Sequence, residues 1–218
     1  MTARDNILTR IRAAQGRSGA PSESEREAVR AHIRAHPQSP RPQLDWDPVA
    51  RFRERVLSLA STCEEIGSRK DLPAAVAGYL RANHLPVSAV CWPEFSGLDW
   101  AGSGLAVEAR NARDGDLVGI TGVFCAIAET GTLMLISGPL TPAAASLLPE
   151  THIAIVRKAR IVRGMEEAWQ LLRGEVGIPP RAVNFVSGPS RTADIEQTVT
   201  LGAHGPYRVH VVLVESGT

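Results

Sequence analysis

Residues 182–196 read AVNFVSGPSRTADIE, and this stretch does most to predict the class of fold. Its first five residues form a mostly apolar, strand-like run, which Gly188 and Pro189 then interrupt. Asp194 and Glu196 follow where the first turn of a helix would favour negative charge. The order of strand, loop and helix start is typical of open α/β sheets, in which ligands bind at such loops.

Strand-like and helix-like segments alternate on the amino-terminal side of this loop. The apolar runs predict strands at 87–91, 105–109, 117–120, 132–136, 152–156, 160–162, 182–186 and 209–214. Apolar spacings of three and four predict helices at 5–14, 22–35, from 48 onward, 71–83 and 165–173. We therefore expect an α/β domain over residues 71–218 whose sheet is at least partly parallel, preceded by a helical extension over residues 1–70.

Composition narrows the class of protein. Hydrophobic residues make up 44% of the 218 residues and charged residues 22%, which is typical of a globular chain. The net charge of +1 gives no reason to expect nucleic acid, and no window approaches the ~20 apolar residues of a membrane span. Residues 1–70 carry +4 and the remainder −3, so either these are solvated helix faces or the basic front docks onto the acidic body or onto a partner.

The three cysteines predict reduced, mostly buried thiols. Cys63, Cys91 and Cys125 lie far apart, and the chain has no Cys-x-x-Cys pair. We therefore expect no iron–sulfur cluster and no metal site on this chain. Together with an amino terminus that lacks a secretory apolar core, this favours a cytoplasmic protein.

Glu129 is the first candidate for chemistry. It is the only carboxylate in a run of small and apolar residues between Gly119 and Thr132, where burial would raise its pKa and suit it to acid–base work. The alternative is a structural carboxylate that accepts hydrogen bonds from turn amides. Gly131, between Thr130 and Thr132, would either let a ligand approach the backbone closely or permit a tight turn.

The loop that follows residue 186 is the second candidate. Gly188, Ser190, Arg191 and Thr192 offer amides, hydroxyls and a guanidinium to an anion at a helix start. Asp194 would repel a phosphate, so a singly charged carboxylate or a hydroxylated ligand fits better. The alternative is a plain helix cap in which Arg191 pairs with Asp194 or Glu196.

Histidines supply the remaining candidates. His204 stands in a glycine-flanked loop from which its imidazole would reach a pocket and carry a proton, although a turn histidine also serves to hydrogen-bond the backbone. Glu150 and His152 form a weaker candidate pair in a loop before a strand. The chain has no dinucleotide-binding glycine motif, no phosphate-binding loop and no nucleophile elbow, which disfavours nucleotide and esterase functions.

Five motifs in one order resemble the lactate-utilization protein C (LutC/YkgG) group of the LUD-domain proteins. They are GITG at 119–122, IAETGT at 127–132, LPETH at 148–152, GPSRTADIE at 188–196 and LGAHGP at 201–206. The resemblance implies a Rossmann-like three-layer sandwich similar to the NagB/RpiA/CoA-transferase-like fold. Residues 123–126 depart from the family pattern because they are more apolar than the acidic or aromatic variants expected there.

The resemblance also implies a function. It suggests a subunit of a bacterial system that oxidises L-lactate to pyruvate together with iron–sulfur partner proteins, which would hold the clusters that this chain cannot ligate. In that hypothesis Arg191 pairs with a small carboxylate, and Glu129 or His204 handles a proton. Two alternatives remain open: an autonomous enzyme of the sugar-phosphate isomerase or CoA-transferase kind with Glu129 as base or nucleophile, or a non-catalytic binding and regulatory module.

Overall fold

The computed structural model describes residues 2–17, 19–193 and 199–215. The chain divides into two compact units, residues 1–42 and residues 43–218. The predicted helical extension runs to residue 70, whereas residues 43–70 belong with the second unit.

The first unit contains two helices, α1 (Ala3–Ala14) and α2 (Glu23–Ala35). Each begins at a capping box in which a hydroxyl and a carboxylate three residues apart satisfy each other's backbone amides. In α2 these residues are Ser22 and Glu25. Both helices match the predicted segments, and neither buries a residue.

The second unit contains the remaining elements. The strands are β1 (Thr62–Ile66), β2 (Ser88–Cys91), β3 (Ala106–Ala109), β4 (Val118–Gly122), β5 (Cys125–Ile127), β6 (Thr132–Ile136), β7 (Thr151–Arg157), β8 (Ile161–Val162), β9 (Val183–Val186), β10 (Arg191–Thr192), β11 (Thr200–Leu201) and β12 (Arg208–Val214). The helices are α3 (Pro48–Ser58), α4 (Leu72–Ala82), α5 (Ala144–Leu147) and α6 (Met165–Glu175).

Six parallel strands form the central sheet in the order β1-β12-β7-β4-β2-β3. Strands β4, β7 and β12 are buried along nearly their whole length, as parallel strands covered on both faces must be. On one face Tyr79 of α4 stacks on His210 of β12, with ring centroids 3.8 Å apart. On the other face Gly119 of β4 lies against α5. The helix, sheet and helix layers confirm the predicted α/β class.

A second sheet, in the order β8-β5-β6-β9, is mixed and carries its own small core. Ala168 and Leu172 of α6 pack there on Cys125, Ile127 and Met134. Strand β9 therefore pairs antiparallel with β6 and lies outside the central sheet. The loop after residue 186 is consequently not at the carboxyl edge of the parallel sheet, contrary to the expectation from residues 182–196.

One helix boundary differs from the sequence prediction. The helix that begins at Pro48 ends at Ser58, and Cys63 lies in β1, which pairs with β12 at the edge of the central sheet. The helix predicted from residue 194 lies outside the described residues. Among the helices that the structure does describe, none has the length and apolar content needed to cross a membrane.

Candidate functional site

A cavity of about 240 Å³ opens where four parallel strands of the central sheet end. We call it the carboxyl-edge cavity. Parallel register brings the ends of β4, β7 and β12 to one edge, since Gly122 pairs with Ile155 and Arg157 with Val214. The polar and glycine positions of its wall are Arg69, Glu94, Gly122, Arg157 and Glu215. Its position is the one at which open α/β sheets bind ligands.

Glu94, just after β2, places its carboxyl group directly against the backbone of Gly122. A Cβ on Gly122 would stand 2.3 Å from the Glu94 Oε1 atom, so only glycine leaves room for this carboxyl. Burial raises the pKa of Glu94, while the nearby guanidinium groups of Arg69 and Arg157 act in the opposite direction. The Glu94 carboxyl is thus a partly desolvated group that can gain or lose a proton near the cavity.

Arg69 is held in place by several contacts. Its guanidinium donates a hydrogen bond to the Glu94 backbone oxygen and lies over the Phe95 ring, 5.0 Å from the centroid. Its Nη1 atom is 3.9 Å from Oε2 of Glu94. These contacts occupy the Arg69 guanidinium. Arg69 therefore mainly positions the Glu94 segment and has few N–H groups left for a ligand.

Arg157, at the end of β7, is different. Its side chain is exposed and lines the cavity, and the guanidinium makes no hydrogen bond and no ion pair with any described residue. A guanidinium has five N–H donors in a planar fork that matches a carboxylate. Arg157 is therefore the cation of this cavity that is available to a ligand.

The second acidic residue of the wall is already paired. Lys158 Nζ lies 2.5 Å from Glu215 and 2.8 Å from Glu65, so both carboxylates share its charge. The charge within the cavity consequently depends mainly on Arg69, Arg157 and the protonation of Glu94.

An adjoining cavity of about 300 Å³ shares Glu94, Val123 and Arg157 with the first. Its wall includes the Trp92 and Phe124 side chains. Val123 and Phe124 belong to the segment that departs from the family pattern, and here they supply apolar surface beside the charged groups.

The structure places the Glu129 group of predicted residues against α3. The hydroxyls of Thr130, Thr132 and Ser187 form a chain with oxygen separations of 2.7 and 2.6 Å. Gly131 has φ +69°, and a Cβ there would meet the Arg55 backbone at 2.9 Å. The helix α3 thus gives this glycine a packing role, and a ligand-binding role for these residues stays a prediction.

Glu129 itself is half-buried. Its backbone N–H donates to the Arg163 carbonyl at 2.9 Å, and its carboxylate has no hydrogen-bond partner among the described residues. It lines neither of the two cavities above. Its predicted catalytic role stays a prediction.

The second predicted group meets at the end of α3. A Cβ on Gly188, where φ is +81°, would stand 2.6 Å from the Leu59 carbonyl oxygen. The Arg191 guanidinium donates to the same oxygen at 3.3 Å. Contact with the end of α3 therefore gives both Gly188 and Arg191 a structural role.

A short hairpin carries the rest of that group. Thr192 of β10 pairs with Thr200 of β11, and the Ser190 amide donates to the Pro206 carbonyl at 2.9 Å. The His204 amide donates to Ser190 Oγ at 3.4 Å, and its side chain is exposed. Asp194 lies outside the described residues. The structure thus joins the Ser190 and His204 loops, and no described contact links either loop to Glu129.

His152 is a structural residue of the core. It lies within β7 and not in a loop, is completely buried, and has Nε2 2.8 Å from Thr121 Oγ1. Burial lowers its pKa to about 4, so the imidazole is neutral at physiological pH. This corrects the interpretation of His152 as a loop imidazole.

Sequence reasoning missed Glu94, Arg69 and Arg157. The available signal was the end of each apolar run, because Glu94 and Arg157 are charged residues close behind β2 and at the end of β7. The last glycine of the GITG motif, Gly122, makes room for the Glu94 carboxyl group.

Comparison with known proteins assigns the chain to a family. The LUD domain model matches residues 97–214, more than half of the chain. The chain belongs to the LUD domain family. This confirms the predicted resemblance.

Curated relatives of this LUD domain protein carry a common name. "Lactate utilization protein C 1" of Bacillus mycoides is 40% identical over 111 residues, which cover 50% of this chain and 47% of the relative. "Lactate utilization protein C" of Bacillus subtilis is 37% identical over 128 residues, which cover 53% of each chain. The chain spans about half the length of the curated relatives it matches.

A solved structure shares the fold. A DUF162 family protein from Deinococcus radiodurans aligns with a TM-score of 0.55 and 25% identity, covering 77% of this chain and 96% of that one. The likeness extends amino-terminal to the LUD domain match, since it covers a larger share of the chain.

Proposed function

We propose that this protein acts in bacterial lactate utilization, as a subunit of a system that oxidises L-lactate to pyruvate. The observation that carries the proposal is the LUD domain match together with relatives named lactate utilization protein C. A metabolite-sized cavity with an available arginine at the carboxyl edge of the sheet supports a role with small molecules.

We propose further that the iron–sulfur clusters of this system belong to partner proteins. Cys63 and Cys91 are separated by three strands of the central sheet, and Cys125 lies in the other sheet. Burial raises the pKa of Cys63 and Cys91 to about 11 and that of Cys125 to about 12. Such thiols stay protonated, whereas cluster ligation needs grouped thiolates. Reduced thiols of this kind are also consistent with a cytoplasmic location.

Growth of a deletion strain tests the function. Deleting the gene in the native host should abolish growth on L-lactate, leave growth on pyruvate unchanged, and be reversed by a plasmid copy. Pyruvate is the matched control because it enters metabolism after the proposed oxidation. Normal growth of the deletion strain on L-lactate would contradict the proposal.

Affinity purification tests the partners. Tagged protein expressed from its own locus should bring down proteins with bound iron and acid-labile sulfide. If the tagged protein is recovered without them, and the purified chain alone turns over a sugar phosphate or an acyl-CoA, the autonomous-enzyme alternative replaces the complex.

A further inference from the structure

The carboxyl-edge cavity combines one available cation with one partly desolvated carboxyl group. The Arg157 guanidinium reaches the cavity from β7 without a hydrogen bond or an ion pair to any described residue. The Glu94 carboxyl is fixed against Gly122 and by the contacts of Arg69. These two groups line one cavity, so a single small ligand can contact both.

The charge of the cavity favours a singly charged anion. Glu215 shares Lys158 with Glu65 and is only partly neutralised, so Arg69 and Arg157 face Glu94 and part of the Glu215 charge. A doubly charged phosphate would place its charge beside the Glu94 carboxyl, and repulsion would oppose its binding. A carboxylate can instead form two parallel hydrogen bonds with the Arg157 fork.

The volume limits the size of the ligand. About 240 Å³ is smaller than the ~300–1,000 Å³ of sites for drug-sized ligands, so a metabolite of a few heavy atoms fits. Once its carboxylate lies on Arg157, the substituent on the next carbon faces Glu94. A carboxyl group can donate to an oxo group and accept from a hydroxyl, depending on its protonation.

We propose that the carboxyl-edge cavity binds a small 2-hydroxy or 2-oxo monocarboxylate, with Arg157 on the ligand carboxylate and Glu94 on the 2-substituent. The site deepens the proposed function, on which the choice of probes rests. It differs from the predicted site at Glu129, Arg191 and His204, which lie outside this cavity.

Isothermal titration of the purified full-length chain tests the site. The probes are L-lactate, pyruvate, and propionate, which lacks the 2-substituent. Arg157→Gln should weaken L-lactate or pyruvate binding by about ten- to a hundredfold, since a hydrogen bond to a charged group is lost. Arg181→Gln is the matched control, because Arg181 is exposed and lines neither cavity, and it should bind as the wild type does.

The outcomes separate the site from the function. The proposed site is wrong if the wild type binds neither L-lactate nor pyruvate, or if Arg157→Gln binds them as tightly as the wild type does. The proposed function is tested separately, by the growth phenotype of the deletion strain. If propionate binds as tightly as L-lactate and pyruvate, the proposed contact of Glu94 with the 2-substituent is wrong. Binding at Arg157 with normal growth of the deletion strain supports the site and contradicts the function. A crystal structure with pyruvate checks the pose independently of any variant, and a carboxylate found away from Arg157 overturns it.

Discussion

Gly119 and Gly122, three residues apart on β4, should respond differently to the same substitution. They face opposite sides of the sheet, because side chains alternate along a strand. A Cβ on Gly119 would stand 2.0 Å from the Ala145 backbone oxygen and 2.9 Å from Pro149 Cγ. These separations are far below the ~3.5 Å at which heavy atoms attract. Since the nearest atom is backbone, α5 must shift, and Gly119→Ala should destabilise the fold by about 3 kcal/mol.

Gly122→Ala meets a flexible group instead. Its new Cβ would stand 2.3 Å from Glu94 Oε1, the end of a side chain that can rotate away. An off-rotamer side chain costs about 0.5–1.5 kcal/mol, so the free energy of unfolding should fall by about 1 kcal/mol at most. The Glu94 carboxyl would leave its seat, and the preference for L-lactate or pyruvate over propionate should decrease.

Urea denaturation followed by circular dichroism measures both effects. The two variants control for each other, because the entropy that alanine removes from the unfolded chain is similar at both positions. Comparable stability of the two variants would refute the reasoning from backbone and side-chain neighbours. Unchanged ligand preference in Gly122→Ala would refute the seating of Glu94 by that glycine.

Three further predictions concern titration and packing. Because burial lowers the pKa of His152 to about 4, the neutral form stabilises the fold above pH 6.5, and this stability is lost as pH falls toward 4. Since protonation of the buried imidazole is disfavoured by a few kcal/mol, wild type should lose about 2 kcal/mol more than His152→Gln between pH 7 and 4.5 in urea titrations. Gly188→Ala should destabilise by about 1–3 kcal/mol, because φ is +81° and the Leu59 oxygen lies 2.6 Å from the new Cβ, and a thermal melt showing no change would contradict this. Ligand carboxylate binding should weaken as pH rises through the raised pKa of Glu94, and this dependence should vanish in Glu94→Gln when calorimetry is repeated from pH 4.5 to 8. The other charged and titratable groups near that carboxyl are Arg69, Arg157, Glu215 and Cys91.

The buried strands can be predicted from the sequence because a strand covered on both faces is a nearly continuous apolar run. Strands β7 and β12 are covered on both faces and are nearly continuous apolar runs. Strand β1 was missed since TCEEI places two glutamates in five residues. Its edge position lets Glu65 remain exposed and pair with Lys158, so it needs no apolar run.

The cavity could not be predicted because its residues meet only through strand order. Glu94 follows β2, Gly122 ends β4 and Arg157 ends β7, and the sheet places these strands side by side although the three residues are 28 and 35 positions apart in sequence. The motifs predict ligand-binding positions at Gly131 and Gly188. In the structure both glycines instead lie against α3 or the residue that ends it. A helix that must approach a loop closely requires glycine as strictly as a ligand does.

The carboxyl-edge cavity extends beyond the segment that the LUD domain model matches. Gly122 and Arg157 lie inside residues 97–214, whereas Arg69 and Glu94 precede them. The same is true of β1, β2 and α4, which supply one edge, an inner strand and one face of the central sheet. A fragment restricted to the matched segment would keep the guanidinium of Arg157 and lose the carboxyl group opposite it. Of the two compact units, the one of residues 43–218 contains both halves of the cavity.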